Sequence, residues 1–386
     1  MLIQLHLLQN YSPANLNRDD TGAPKDALFG GVRRGRISSQ CLKRSIRKSA
    51  AFAAAFESEG RLAVRTKSLP GLIQEELIKL GAEPKIIQAI VARVPEIGRE
   101  STKKSADETD ADSDTPETAE AESTAETETK QLIFLGRDEL PVLAQKLLTL
   151  YQQYGDEKKW VKAKIADITK ALGSSVPRSV DVAMFGRMTT SEAFEDVQAA
   201  VQVAHALSAN ALAEEFDYYT AVDDLSGESG AGMIGDIEFN CSTYYKYLNV
   251  HWEQLVRNLG GDVAVARRAI LALVEAAATA QPTGKQNTFA AHCLPDLVLV
   301  EVRDKNLPVS YANAFLKPAR VGGGQTVMDD AISKLADYIA RVGKAYGLSA
   351  DRRAFVALQD VSLPGAASSL SLTDLQTWVE KQLPEG

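Results

Sequence analysis

Nine basic residues stand between Arg18 and Lys48 (Arg18, Lys25, Arg33, Arg34, Arg36, Lys43, Arg44, Arg47 and Lys48) against three acids, Asp19, Asp20 and Asp26, a local balance of +6. Guanidinium and ammonium groups of this kind neutralise a polyanion, holding phosphate oxygens without reading bases. Their spacing concentrates the charge. A helix beginning at Ser38 or Ser39, either of which can cap its first turn, sets Lys43 beside Arg47 on one flank and Arg44 beside Lys48 on another. The preceding run, Asn10 to Gly35, carries Pro13, Gly22, Pro24, Gly30 and Gly31 and reads as a long functional loop. A glycine-bearing loop thus feeds a serine-capped cationic helix, whose first amides would add a second kind of phosphate donor. A solvated basic face paired with acids elsewhere fits the same composition.

Other chemistries find less support. Cys41, Cys241 and Cys293 are far apart, and an odd number without a CxxC pair argues against a disulfide framework and a structural zinc site. His6, His205, His251 and His292 show no metal-ligating spacing. Asp223 with Asp224, or Asp236 with Glu238, could hold a metal, yet no third ligand stands at a recognisable distance in sequence. Gly322-Gly323-Gly324-Gln325-Thr326 resembles part of a phosphate loop without the closing Lys-Ser/Thr, and reads as a turn with a helix cap. The residues therefore predict no catalytic group, no metal and no cofactor.

The total charge of the 386-residue chain is -8, which looks wrong for a partner of nucleic acid until it is divided. Between Ser101 and Lys130, ten acids face three lysines, a net -7, so the remainder stands near -1. Local sign sets the field that a polyanion meets. The tract 99–130, nearly all Ser, Thr, Ala, Asp and Glu, cannot bury enough apolar surface to order itself and is expected to be a disordered external loop. No apolar run is long enough to span a membrane, and Met1 to His6 alternates where a signal peptide would be continuously apolar. A cytoplasmic location is expected.

The elements that would carry these residues alternate in type. Residues 2–9 read as a strand. The helix after Ser38 would bury Leu42, Ile46, Ser49, Ala50 and Ala53. Short helices over 69–97 and a helical region over 138–172 follow, then strand character through Val180–Phe185 and an alanine-rich helix over 192–213. Phe216–Val222 and Phe239–Tyr247 read as two strands joined by a glycine-rich tip. Met233 and Ile234 would expose apolar atoms there, able to wedge between bases or lodge against a neighbouring subunit. A helix over 261–280, a core strand over 297–302, a helix over Val327–Tyr346, a strand near 353–358 and a terminal helix complete the chain. Strands separated by helices, with hairpins added, predict an α+β fold with a mostly helical insertion.

Several ordered blocks carry a family resemblance: Asn17-Arg18-Asp19-Asp20, Lys25 to Gly31, Arg36 to Arg47, Val182 to Met188, Gln202 to Ala206, Phe216 to Asp224, Gly230-Ala231-Gly232, Gly284 to His292 and Pro308 to Phe315. In these the chain resembles the CasC family, the backbone, CRISPR-RNA-binding subunit of the type I-E Cascade antiviral complex. The acidic tract matches no pattern of that family. The resemblance implies a ferredoxin-like, RNA-recognition-type palm (residues 1–60 and 173–386), a helical finger insertion (61–172) and a β-hairpin thumb (about 216–247). It implies a non-catalytic protein that binds CRISPR RNA along its backbone, with other Cascade subunits and further copies of itself as partners, and meets target DNA through the guide. Arg18, Lys25, Ser39, Gln40, Lys43, Arg44 and Arg47 would hold the RNA, Met233 would lie in the thumb, and Met184 with Arg187 would border the RNA channel. The rival expectations are a metal-dependent ribonuclease that processes the guide, centred on Asp223 and Asp224, and a scaffold that assembles without RNA.

Overall fold

Every residue from Leu2 to Gln9 is buried, which marks a strand enclosed on both faces and paired on both edges. The computed structural model that shows this describes residues 1–97, 129, 132–172, 179–189, 193–222, 231–348 and 352–385. The acidic tract apart from Thr129, and the hairpin tip with Asp223 and Asp224, lie outside the described residues.

Strands run as β1 (Leu2–Ala14), β2 (Asp26–Phe29), β3 (Val32–Ile37), β4 (Ala63–Thr66), β5 (Ile133–Gly136), β6 (Val201–Val203), β7 (Ala206–Ser208), β8 (Glu215–Val222), β9 (Ala231–His251), β10 (Leu297–Arg303), β11 (Arg352–Ala357) and β12 (Ala366–Ser368). Helices follow as α1 (Ser39–Arg47), α2 (Ala50–Phe56), α3 (Leu69–Lys79), α4 (Pro84–Val91), α5 (Val94–Ile97), α6 (Glu139–Tyr154), α7 (Glu157–Lys162) and α8 (Ile165–Leu172). The later ones are α9 (Val180–Phe185), α10 (Trp252–Asn258), α11 (Val263–Thr279), α12 (Gln286–Phe289), α13 (Val327–Tyr346) and α14 (Leu372–Gln382). The fold is thus a mixed α+β arrangement with a multi-stranded sheet. No described helix is long and apolar enough to cross a membrane.

The described residues divide into two compact units, one of Met1–Phe52, Gln202–His251 and Ile270–Glu385, the other of Ala53–Val201 and Trp252–Ala269. In the first, the sheet order is β12-β11-β10-β1-β9-β7-β3-β2, with β8 added to β9. β1 pairs antiparallel with both β9 and β10, β10 with β11, and β9 with β7, whereas β11 and β12 are parallel. α13 covers one face: Ala331, Ile332, Leu335 and Ile339 pack into a core with Leu8, Tyr245, Leu297, Leu299 and Phe355. Each leucine or isoleucine side chain here contributes about 1.5–3 kcal/mol on leaving water. Thr326 caps the helix, accepting from the Asp329 amide while the Asp329 carboxylate accepts from the Thr326 amide, which fixes where it begins.

The second unit is mainly helical around Leu77, Ile90, Leu143, Leu147 and Trp160. Trp160 is fully enclosed, its Nε1 donating to the Ala89 carbonyl at 2.9 Å. The segment expected to run to 172 therefore belongs to a unit that also takes in the described residues up to Val201 and 252–269.

Four local expectations are corrected. Val180–Phe185 is helix α9, not a strand; Val180 to Met184 are all buried, and Asp181 accepts from the Ala63 amide at 2.8 Å, so tertiary contact outweighs β-branched propensity. The alanine-rich stretch expected as a helix over 192–213 is not helical in its described residues. It yields β6 and β7, and its amides at Ala204 and Ala209 donate to Tyr247 and Thr243 of β9. Finally, Asn10–Gly35 is not all loop, because β1 continues to Ala14 and β2 and β3 form a hairpin. The helix after Ser38 also breaks at Lys48–Ser49, so that Ala51, Phe52 and Phe56 are buried in place of Ala50 and Ala53.

Candidate nucleic-acid interface

Ser38 initiates α1 by accepting from the Cys41 amide at 3.2 Å, and its own amide donates to Asn17 Oδ1 at 2.7 Å. The loop is thereby tied to the helix start. Asp19 shapes the loop: its Oδ1 accepts from the amides of Thr21 and Ala23 and from the Thr21 hydroxyl. Asn17 accepts the Lys25 amide through its carbonyl, and Lys25 in turn accepts the Arg36 amide. Asn15 Nδ2 donates to the carbonyls of Gly22 and Glu238, joining the loop to the base of the β8–β9 hairpin.

On this frame Arg18, Gln40 and Arg44 are exposed, Lys25, Lys43 and Arg47 half-buried, and Ser39 buried. Among the described residues no carboxylate pairs with Arg18 or Arg44. All seven lie in the first unit, on the loop after β1 and on α1, with the β2–β3 hairpin between them in sequence. Ser39 is the first residue of α1, so its contribution to an anion would come from its backbone at the positive end of the helix.

The basic count of the segment is higher than its available charge. Arg33 is matched by Asp26 and by Glu214, the latter at 2.9 Å, which raises its pKa; the hydrogen bond it donates to Asp26 is the largest cause. Arg34 has no exposed surface and donates to the carbonyls of Ser208, Ala209, Asn210 and Phe315. It is a cross-brace from β3 to the end of β7 with the residues after it, and to the 3-10 turn that ends at Phe315. Arg36 reaches the Asp26 carbonyl and lies 3.2 Å from His205 Nδ1.

Met233 lies in β9, opposite Ala221, and is exposed together with Ile234, Phe216 and Tyr218. The hairpin therefore offers apolar atoms to solvent. Met184 and Arg187 are placed otherwise than expected: Met184 has no exposure, and Arg187 Nη1 donates to both Glu139 oxygens at 3.0 and 2.7 Å. Both serve the interior of the helical unit, and neither presents a polar atom to a strand of RNA. Among the described residues no cluster of three or more His, Cys, Asp or Glu could hold a metal ion. Asp236 and Glu238 share a face of β9, and burial with nearby Glu214 raises the Glu238 carboxyl.

Sequence reasoning missed the segment 284–290. Gly284 lies against the backbone of Asn15 and Leu16, and Phe289 meets Phe239 of β9 with ring centroids 5.6 Å apart. The loop, α1, this segment and the hairpin base thus adjoin within one unit. The only advance signal was the block Gly284 to His292, which carried no charge cluster.

Comparison with known proteins fits this architecture. A chain in a solved structure described as "CRISPR RNA-guided surveillance complex, pre-nicking" is 27% identical, with a TM-score of 0.76, over 99% of this chain and 100% of that chain. Another, described as "CRISPR RNA-guided surveillance complex", is 23% identical with a TM-score of 0.60 over the same shares and supports the likeness of fold alone. No curated protein sequence matches. The family model described as "CT1975-like protein" matches residues 3–381, and this chain belongs to that family.

Proposed function

We propose that the chain binds a guide RNA along its sugar-phosphate backbone and repeats along it as a non-catalytic subunit of a CRISPR surveillance complex of the Cascade type, leaving guide bases to pair with target DNA. The observation that carries this reading is the Asn17-tied loop and serine-capped α1, which set Arg18, Lys25, Gln40, Lys43, Arg44 and Arg47 on one connected element. Membership of the family, and likeness to a chain of an RNA-guided complex, support it.

The palm reading draws on the order β10-β1-β9-β7, antiparallel throughout, with helices in the β1-to-β7 and β9-to-β10 connections. That is the order and polarity of a split βαβ sheet, a platform that RNA-binding modules use. In this reading the β8–β9 hairpin is the thumb, with Met233 near its end, and the helical unit is the finger insertion. Delegating target sequence to base pairing leaves the protein to hold backbone and shape, a logic described for another CRISPR effector.

The test is charge reversal. Arg18→Glu with Arg44→Glu should sharply lower the absorbance ratio of nucleic acid to protein across the size-exclusion peak, with the far-ultraviolet spectrum unchanged. Retention equal to the parent's in the folded double variant would defeat the proposal, and assembly surviving ribonuclease would favour a protein-only scaffold.

A further inference from the structure

Among the described residues, Lys285 and Ala290 alone of the non-glycine residues have positive φ, 49° and 47°. A left-handed conformation costs such a residue about 1–2 kcal/mol, so two of them bracketing α12 need a cause. The cause is confinement. A Cβ on Gly284 would stand 2.3 Å from the Leu16 carbonyl oxygen and 2.8 Å from that of Asn15. Gln286 Nε2 turns back to the Pro282 carbonyl at 3.0 Å, and Phe289 is tilted against Phe239.

The pinned turn starts against the strand end that leads through Asn17 into Arg18. Lys285 is the first residue beyond the pin, half-exposed, and no carboxylate among the described residues pairs with it. Strain held by the surrounding structure is a mark of positions whose geometry is used. A lysine able to relax to an ordinary φ would carry its ammonium elsewhere.

We propose that Lys285 is a further contact to an RNA phosphate, presented by the strained turn Gly284–Ala290 alongside the basic loop; this rests on the RNA-backbone reading above. Three variants of the full chain separate positioning from structure, using a fluorescein-labelled single-stranded RNA of mixed sequence as probe. Lys285→Gly and Ala290→Gly both relieve strain, but only the first removes an ammonium. Lys285→Gln keeps a long side chain without charge. Ala290→Gly should keep or raise the thermal midpoint with unchanged RNA affinity. Lys285→Gly should likewise keep or raise the midpoint, yet weaken binding several-fold, as Lys285→Gln does, with a salt slope smaller by about 0.7. Parental affinity and slope in both Lys285 variants, while the parent binds, would overturn this inference alone. A parent that fails to bind the probe would overturn the RNA reading and this inference with it.

Discussion

Arg34 sends Nη1 to the carbonyls of Ser208 and Ala209 at 3.0 and 2.8 Å and Nη2 to that of Phe315 at 2.7 Å, while Arg44 stands exposed on α1. Burial lowers the Arg34 pKa, and carbonyl oxygens, not a carboxylate, compensate its charge. Removing it strands buried acceptors, each costing about 1–3 kcal/mol when left without a donor. Arg34→Met should therefore lower the urea midpoint by an amount equivalent to roughly 3 kcal/mol or more. Arg44→Gln should leave that midpoint in place and reduce RNA retention instead. If both variants unfolded alike, the division of this basic run into brace and binding surface would be wrong. Charge alone could not distinguish the two arginines, because the partners of Arg34 lie at 208–210 and 315, far along the chain.

The β2–β3 hairpin turns on Gly30 and Gly31, both with positive φ, 61° and 77°, the two-residue turn whose twist suits antiparallel strands. Space divides them. A Cβ on Gly30 would lie 2.4 Å from the Leu316 carbonyl oxygen, whereas nothing stands within 4 Å at Gly31. Asparagine tolerates the left-handed region, so Gly31→Asn should keep the thermal midpoint, and Gly30→Asn should cost about 1–3 kcal/mol by overpacking against backbone. Equal losses would show that conformation, not the close approach, decides. At this scale much was legible: α13 spans the Val327–Tyr346 expected from its stripe, and β10 occupies the apolar run from Leu297. The stretch after 199 was not, since its alanines suit a helix and only pairing with the distant β9 makes it extended. The site divides likewise: the exposed cations of the loop and α1 announce themselves by charge, but Lys285 is singled out only by its backbone angle.

Over the molecule as a whole, β1 buries polar groups on both faces, and the two faces answer pH differently. On one, Glu301 is pulled down to about 2; burial opposes ionisation, but His6, Arg353 and Arg303 outweigh it. That carboxylate's stabilisation is present above its ordinary 4.5 and is lost as pH falls through 2. Burial also lowers His6 below 6.5, so acid weakens the fold already from there. On the other face Lys246 contacts the Gln9 carboxamide oxygen and, at 3.1 Å, the Tyr11 hydroxyl, with no carboxylate among the described residues to pair it. Burial draws its amine from 10.5 to about 7. Between those values the unfolded chain binds more protons than the folded one, so stability must rise with pH across that window. Above the ordinary tyrosine value of 10.0 the trend reverses, because burial raises Tyr11, Tyr244 and Tyr245 and keeps them protonated in the fold. The urea midpoint of the sheet-bearing unit should therefore climb from pH 7 to a maximum at about 9–10 and then decline. Lys246→Met should flatten the climb and leave the alkaline fall. A parent profile level between pH 7 and 9 would mean that the Lys246 ammonium keeps its proton in the fold as readily as in water, against the enclosure seen around it.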